Sequence, residues 1–370
     1  MKNFILFSRI FVGLVFIFSS FVKGVDPLGT AYQIDDYFIA FNINWASSFS
    51  LFLSIALSTF EFLIGICLLV KLEFKKTSWA LFGMMNFFLI LTFYNALTNT
   101  VTDCACFGDA IKLSNWATFY KNLVLLVFVF IVFFYRSSVN TKLSTKYQRI
   151  VIIAVIIGFA GFSYYQYKHL PLMDFRQWKI GADITPSKVG TDSYYLTYKN
   201  INTGETKEYL SPNYPWQDTA WVANWEFQSQ RIDEWKRDKS FELVIEKFNG
   251  KDMTKALLSK GGNQFIIVAR DLATLDIEIG KKLVKVVNYY RSKGYSYIGL
   301  TNSSIADYAK FRTKSKFRYQ FYQADEVILK GMIRANPGII IIKDRKIINK
   351  LNLNDHPDIP EKRIEKTLMP

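Results

Sequence analysis

Cysteine and histidine are nearly absent from this chain: its 370 residues hold three of the first and two of the second. So few thiols exclude a disulfide-stapled scaffold. A metal centre is also poorly supplied, because two clustered sulfurs need further ligands and neither His169 nor His356 belongs to a ligand motif. Acidic side chains are few as well, 31 against 46 Lys and Arg, which leaves a net charge of +15. Such an excess raises nucleic acid as a partner, yet much of it flanks apolar segments, where the positive-inside rule expects Lys and Arg. A membrane accounts for the charge without nucleic acid. The run KFRTKSKFR, Lys310 to Arg318, reads as a solvated basic helix end, with an anionic lipid surface as the alternative.

What the chain has in quantity is apolar surface. Half of it is hydrophobic and 17% is aromatic, too much for a wholly soluble protein, and the length exceeds one ordinary domain. The apolar residues crowd before about Tyr165, after which the sequence turns to mixed globular patterns. Five runs are long enough to cross a bilayer: Phe4 to Val22, Trp45 to Val70, Ser78 to Leu97, Trp116 to Tyr135 and Ile150 to Tyr165. The stretch FSSFVKGVDP at the end of the first run lacks a small-x-small cleavage site, so that run is expected to stay as a helix.

Basic segments sit beside the first span (Lys2, Arg9), after the second (LEFKK) and after the fourth (Arg136 to Arg149). If every span crosses, these fall on one side, which the positive-inside rule makes cytoplasmic. The expected placement is a multi-pass bacterial inner-membrane protein with its N-terminus inside. The loop VDPLGTAYQIDDYF, the polar stretch TDCACFGDAIKLSNW and everything after Tyr165 then lie outside, in a compartment that permits disulfides. The expected fold is a five-span helical bundle (1–166), a β-rich connector (167–240) and an exported α/β domain (241–370).

A charge at the bilayer centre costs roughly 2.5–3.5 kcal/mol on insertion scales, so polar residues inside the spans need partners. Counting a rise of about 1.5 Å per residue from the cytoplasmic ends brings Arg9, Glu61 and Asn86 to similar depths and predicts one buried cluster. It reads either as a proton or quinone-headgroup site, or as a packing and register device. Lys23, Asn95 and Lys121 lie nearer the outer ends, at the level of the cysteines.

RIFVGLVFIFSSFVKGVDP in the first span, the intramembrane Glu of STFEFLIGICLLV in the second and DCACFGD before the fourth resemble bacterial DoxX-like membrane proteins, in the branch of the methylamine-utilisation protein MauE. The resemblance covers roughly the first 140 residues, and CxCFG is its most specific part. For MauE-like proteins it implies disulfide formation or export during maturation of a periplasmic enzyme. For DoxX relatives it implies quinone-linked membrane chemistry.

Cys104 and Cys106 can close into a very small, strained disulfide ring, since their α-carbons lie within bridging distance in a bent loop. Strain raises the reduction potential and makes such a disulfide readily reduced. Lys121 or Lys112 would lower a thiol pKa, whereas Asp103 and Asp109 push the other way. Three roles stand side by side: a reversible redox pair, a loop staple and a metal site. Cys67, at the far end of its span, reads as a small buried apolar residue. No second dithiol exists in the chain, so a redox pair needs an outside partner, a quinone or a separate thiol protein.

In the second half, YYLTYKNINTGETKEYL alternates on both sides of Asn202, Thr203 and Gly204, a hairpin signal. From Phe241 the expected order is strand (FELVIE), short helix, strand (QFIIVAR), helix, strand (YSYIGLT), helix, strand (RYQFYQAD), helix and a final hairpin around Asp344 and Arg345, which argues for a central sheet with helices on its faces. This order resembles the thioredoxin-like fold. RANPGIIIIKDRKI matches the segment that carries that family's cis-proline, so the resemblance makes Pro337 a cis-proline, with Asn336 on an edge that would take an extended peptide; a rigid turn is the alternative. Where the family places Cys-x-x-Cys the chain reads ARDLATLD, and no cysteine follows Cys106. The resemblance therefore implies a partner-binding or docking domain.

Overall fold

The computed structural model describes residues 2–101, 107–111, 113–139, 141, 143–184, 193–210, 215, 218–233, 243–258 and 261–355. The chain divides into two compact units: one comprises 1–180, 332–340 and 349–370, the other 181–331 and 341–348.

In the first unit the apolar runs become helices α1 (Lys2–Val25), α3 (Ser50–Val70), α4 (Phe74–Thr98), α5 (Asn115–Phe134) and α6 (Thr145–Lys168). Among the described residues, five helical segments are long and apolar enough to cross a membrane, α3 counted together with the short 3₁₀ turn that precedes it. The segment expected as a loop after α1 is instead α2 (Pro27–Ala40). Its start is written in the sequence: Asp26 accepts from Gly29 N at 3.0 Å, and Pro27 takes a position where no amide is needed. Fourteen residues rise about 21 Å, short of the roughly 30 Å hydrocarbon layer.

The bundle core joins Val12 and Phe16 of α1, Ile64 and Leu68 of α3, Leu81 and Met85 of α4, and Leu125 and Val129 of α5. Gly13 and Gly65 let α1 and α3 approach closely. A Cβ on Gly65 would stand 2.7 Å from Ile17 Cγ1 and 2.9 Å from Gly13 O, so only a missing side chain permits this contact. Phe62 of α3 stacks on Phe159 of α6 with centroids 4.2 Å apart.

The second unit begins with an antiparallel sheet of β1 (Ser193–Asn200), β2 (Thr206–Leu210) and β3 (Trp225–Asp233) in the order β2-β1-β3, with α7 (Thr219–Asn224) before β3. The hairpin turn forms as its residues predict: Asn200 Oδ1 accepts from the amides of Asn202 and Thr203, and Gly204 takes a φ of 73°. Trp221 and Trp225 stack at 6.0 Å.

The remaining elements are α8 (Thr254–Leu258), β4 (Asn263–Val268), α9 (Ile277–Ser292), β5 (Ser296–Thr301), α10 (Ile305–Ser315), β6 (Phe321–Gln323), α11 (Glu326–Met332), β7 (Gly338–Lys343) and β8 (Lys346–Asn352). Their sheet order is β6-β5-β4-β7-β8, with β4, β5 and β6 parallel. Phe265, Ile266 and Ile267 of β4 are fully buried, which is why QFIIVAR lacks alternation. Asp344 and Arg345 both take positive φ, the demand of a two-residue hairpin. No strand forms over the described part of the expected strand FELVIE, Leu243 to Glu246. Within its described part only Glu246 bridges, to Asp252 and Gln323, because the turn at Asn249 and Gly250 folds the segment back on itself. The protein is therefore a membrane bundle followed by an α/β region.

Candidate functional site

Cys104 and Cys106 lie outside the described residues, as do Asp103, Lys112 and His356, but both stems of their loop are described. On the α4 side, Asn95 Oδ1 accepts from Val101 N at 2.9 Å and Asn95 Nδ2 donates to Val101 O at 2.9 Å and to Asn115 Oδ1 at 3.0 Å. Asn115 Nδ2 in turn donates to Asn99 Oδ1 and Val101 O. These buried amides satisfy one another and fix the chain where it leaves α4. On the α5 side, Phe107 packs its ring 5.7 Å from Phe18, and Lys121 Nζ stands 4.3 Å from the Phe107 centroid. Gly108 has a φ of 51°, and a Cβ there would meet Val22 at 2.9 Å, so the CFG sequence needs its glycine twice over.

The expected Arg9, Glu61 and Asn86 cluster does not assemble. Glu61 is paired with Lys23, whose Nζ donates to Oε1 at 2.6 Å and Oε2 at 2.8 Å, and Ser19 Oγ donates to Oε2 at 3.3 Å. Asn86 Nδ2 donates to Phe82 O in its own helix at 2.7 Å. Arg9 is buried, and its Nη1 makes no hydrogen bond among the described residues. Helix geometry gives the reason. Side chains lean toward the N-terminus of their own helix, so on antiparallel α1 and α3 Lys23 leans back along α1 and Glu61 leans back along α3, and the two meet. Arg9 leans toward the start of α1, away from Glu61. The depths of the α-carbons alone do not carry this direction.

The ion pair forms part of the wall of a cavity of about 610 Å³. Its polar members include Ser19, Lys23, Glu61, Thr92, Lys121 and Asn122, and the rest of its lining is mainly aromatic and aliphatic. Asn122 Nδ2 donates to Thr92 Oγ1 at 3.3 Å. Phe107 belongs to the same wall, so the cavity begins one residue from Cys106. A quinone, which the resemblance implies, matches this space in size and finds donors in Lys121 and Asn122. Its neutral head does not match the charge, because Lys23 is neutralised by Glu61 and Lys121 has no carboxylate partner among the described residues.

A second charge site, at the end of α1, escaped the sequence reading. Arg334, just after α11, donates from Nε to both Asp26 oxygens at 2.9 Å, and its Nη2 lies 2.8 Å from Asp26 Oδ2 and 3.3 Å from Asp109 Oδ2. The guanidinium also lies over the Tyr32 ring at 5.4 Å. Burial opposes charge on Asp26, yet Arg334 and Arg176 outweigh it and hold the carboxyl below its usual range. Burial likewise opposes the Arg334 charge, and Asp26 and Asp109 raise its pKa above the ordinary value. Nearby, Asp174 pairs with Arg176 at 2.8 Å and with Lys350 at 2.7 Å. Burial, reinforced by Arg176 and opposed by Asp174, pushes Lys350 down to about 8. Only Asp26 had a sequence signal, its place before Pro27 as a helix cap. Nothing local marks Arg334.

The Asn336–Pro337 peptide is cis, Pro337 is buried and Asn336 is half-buried. Both lie in the 332–340 segment that folds with the first unit. Cys67 is buried toward the C-terminal end of α3, the end of the bundle away from the α4–α5 loop. His169 pairs its Nδ1 with Asp355 at 2.7 Å near the surface.

Comparison with curated proteins and with solved structures gives no match. The family model described as methylamine utilisation protein MauE matches residues 1–135, so Glu61, Lys23, the cysteine loop and four of the five apolar helices all lie in the part of the chain that is similar to that family.

Proposed function

We propose that the protein assists thiol–disulfide exchange on exported proteins, with Cys104 and Cys106 as the reacting pair. In this reading it sits in the bacterial inner membrane, N-terminus inside, and its thiol-free C-terminal region, thioredoxin-like in element order, binds or positions the partner. The observation that carries the reading is Lys121. Its ammonium is fixed on the ring of Phe107, the residue after Cys106, without a carboxylate partner among the described residues. A cation held on the residue that follows Cys106 in the chain favours the thiolate, the species that attacks and leaves in exchange. The MauE-like stretch contains the same loop.

The exchange balances within two proteins. A client thiolate attacks one sulfur of the Cys104–Cys106 disulfide and forms a mixed disulfide, and the other cysteine departs as thiolate. A second client thiolate then displaces the first sulfur, leaving the client oxidised and the pair reduced. Exchange with a separate disulfide-bearing protein restores the pair. Cys67, buried at the other end of the bundle, takes no part.

The test is the thiol state of the pair in intact membranes, read by alkylation before and after mild reductant and after a reduced client is added. Alternation between two states supports the reading, and Lys121→Met is expected to slow alkylation at neutral pH. Replacement of both cysteines by Ser should abolish client oxidation at normal protein level. A second reading, a transport or quinone-associated scaffold without thiol chemistry, draws on the Lys23–Glu61 pair in the cavity wall. A pair that never changes state, with the double Ser variant losing protein level alone, favours that scaffold.

A further inference from the structure

The bundle cavity has two unlike kinds of lining. Lys23, Glu61, Lys121 and Asn122 are among its polar members, whereas Leu53, Phe60 and Phe87 line it from positions that are otherwise exposed on the apolar helices. The charges in this lining do not cancel. Lys23 and Glu61 neutralise each other at 2.6 Å, which leaves Lys121, whose one described contact is the face of Phe107. A lone ammonium in an apolar wall is costly, and a matching anion relieves that cost.

We infer that the cavity binds an amphiphile with one long apolar chain and a single negative charge, a long-chain carboxylate, its head at Lys121 and its chain against Leu53, Phe60 and Phe87. The cavity of about 610 Å³ suits such a ligand, since ligand pockets commonly span roughly 300–1,000 Å³. Asn122 adds an amide beside the head, and the aromatic wall supplies the contact area. This inference shares Lys121 with the thiol reading but rests on the cavity rather than on the cysteines, so it survives the failure of that reading.

The experiment uses the full chain in phosphatidylcholine nanodiscs. A fluorescent C18 polyene carboxylate is titrated in and detected by energy transfer from tryptophan, with its methyl ester as the neutral twin. Saturable binding of the acid is expected, with the ester roughly tenfold or more weaker, since hydrogen bonds to charged groups contribute about 1.5–3 kcal/mol. Lys121→Gln should lose the same factor for the acid and leave the ester unchanged, and Lys121→Arg should keep acid binding and so show that the fold is intact. Equal affinity for acid and ester, or wild-type affinity in Lys121→Gln, overturns the inference. So does the absence of saturable binding, or displacement by a short-chain quinone at lower concentration than by palmitate.

Discussion

Two buried charge sites in the membrane unit are solved in opposite ways. Lys23 and Glu61 stand on neighbouring antiparallel helices and rely on each other, with Ser19 as a third partner. Arg334 gathers Asp26, Asp109 and Tyr32, beside a second group of Asp174, Arg176 and Lys350, from segments up to 308 residues apart. Inside an apolar bundle no water replaces a lost partner, so a pair is fragile. A network where loops converge shares each charge among several groups and yields more gradually.

That contrast is sharpest if one partner is removed. Glu61→Ala leaves Lys23 charged and unpaired, a loss of about 3–5 kcal/mol for a buried pair, read as collapse of thermal stability in detergent. The double variant Lys23→Met/Glu61→Leu is expected to recover most of it, because apolar residues of similar volume replace buried pairs at little cost. A double variant as unstable as the single one breaks the comparison, since the pair would then hold more than itself.

Arg334→Met should cost less, about 2–3 kcal/mol, the upper range for hydrogen bonds to charged groups. Asp26 keeps its bond from Gly29 and the field of Arg176 when the guanidinium is gone. Arg334→Lys restores charge but not the forked contact with both Asp26 oxygens, so it should fall between. Unfolding in the same detergent checks both, and a loss equal to that of Glu61→Ala removes the distinction.

The difference also explains what was legible in the sequence. The five apolar spans, the short hairpin at Asn202 to Gly204 and the two-residue turn at Asp344 were readable because each depends on neighbouring residues. Glu61 announced itself as a charge in an apolar run. Its partner did not, because the choice between Arg9 and Lys23 rests on the direction in which side chains lean on antiparallel helices. Arg334 was invisible: it lies after a short helix with no local pattern, and its partners are remote. Helix α2 replaces an expected loop: Asp26 and Pro27 form a start signal, while Gln33, Asp35 and Asp36 interrupt its apolar pattern.

The register that brings Lys23 to Glu61 is set by Gly13 and Gly65, which gives a milder way to perturb the pair. Gly65→Ala pushes a methyl group to 2.7 Å from Ile17 and 2.9 Å from the Gly13 carbonyl. Overpacking of this kind costs about 1–3 kcal/mol. Because the pair's two side chains are long, the ion pair itself should survive. A thermal scan of Gly65→Ala alone and in the Lys23→Met/Glu61→Leu background separates the two effects: equal losses in both mean that packing, not charge, is disturbed.

Titration gives the smallest and most selective probe, because it reaches only the network. Asp26 and Asp174 titrate below their usual 3.8, so their contribution is complete above that value and is lost as pH falls through the lowered folded pKa. Lys350 runs the other way. Its folded pKa is depressed to about 8 from 10.5, so between those values the unfolded chain binds more protons than the folded one and stability rises with pH. Asp174 at 2.7 Å opposes burial and Arg176 at this lysine, which keeps the effect modest. Wild type measured against Lys350→Met should therefore gain stability from pH 8 to 10 and show no such gain from pH 6 to 7. Glu61→Ala should leave that difference unchanged, since the membrane pair and the network are separate. A gain that vanishes in Glu61→Ala would mean that the two sites act as one.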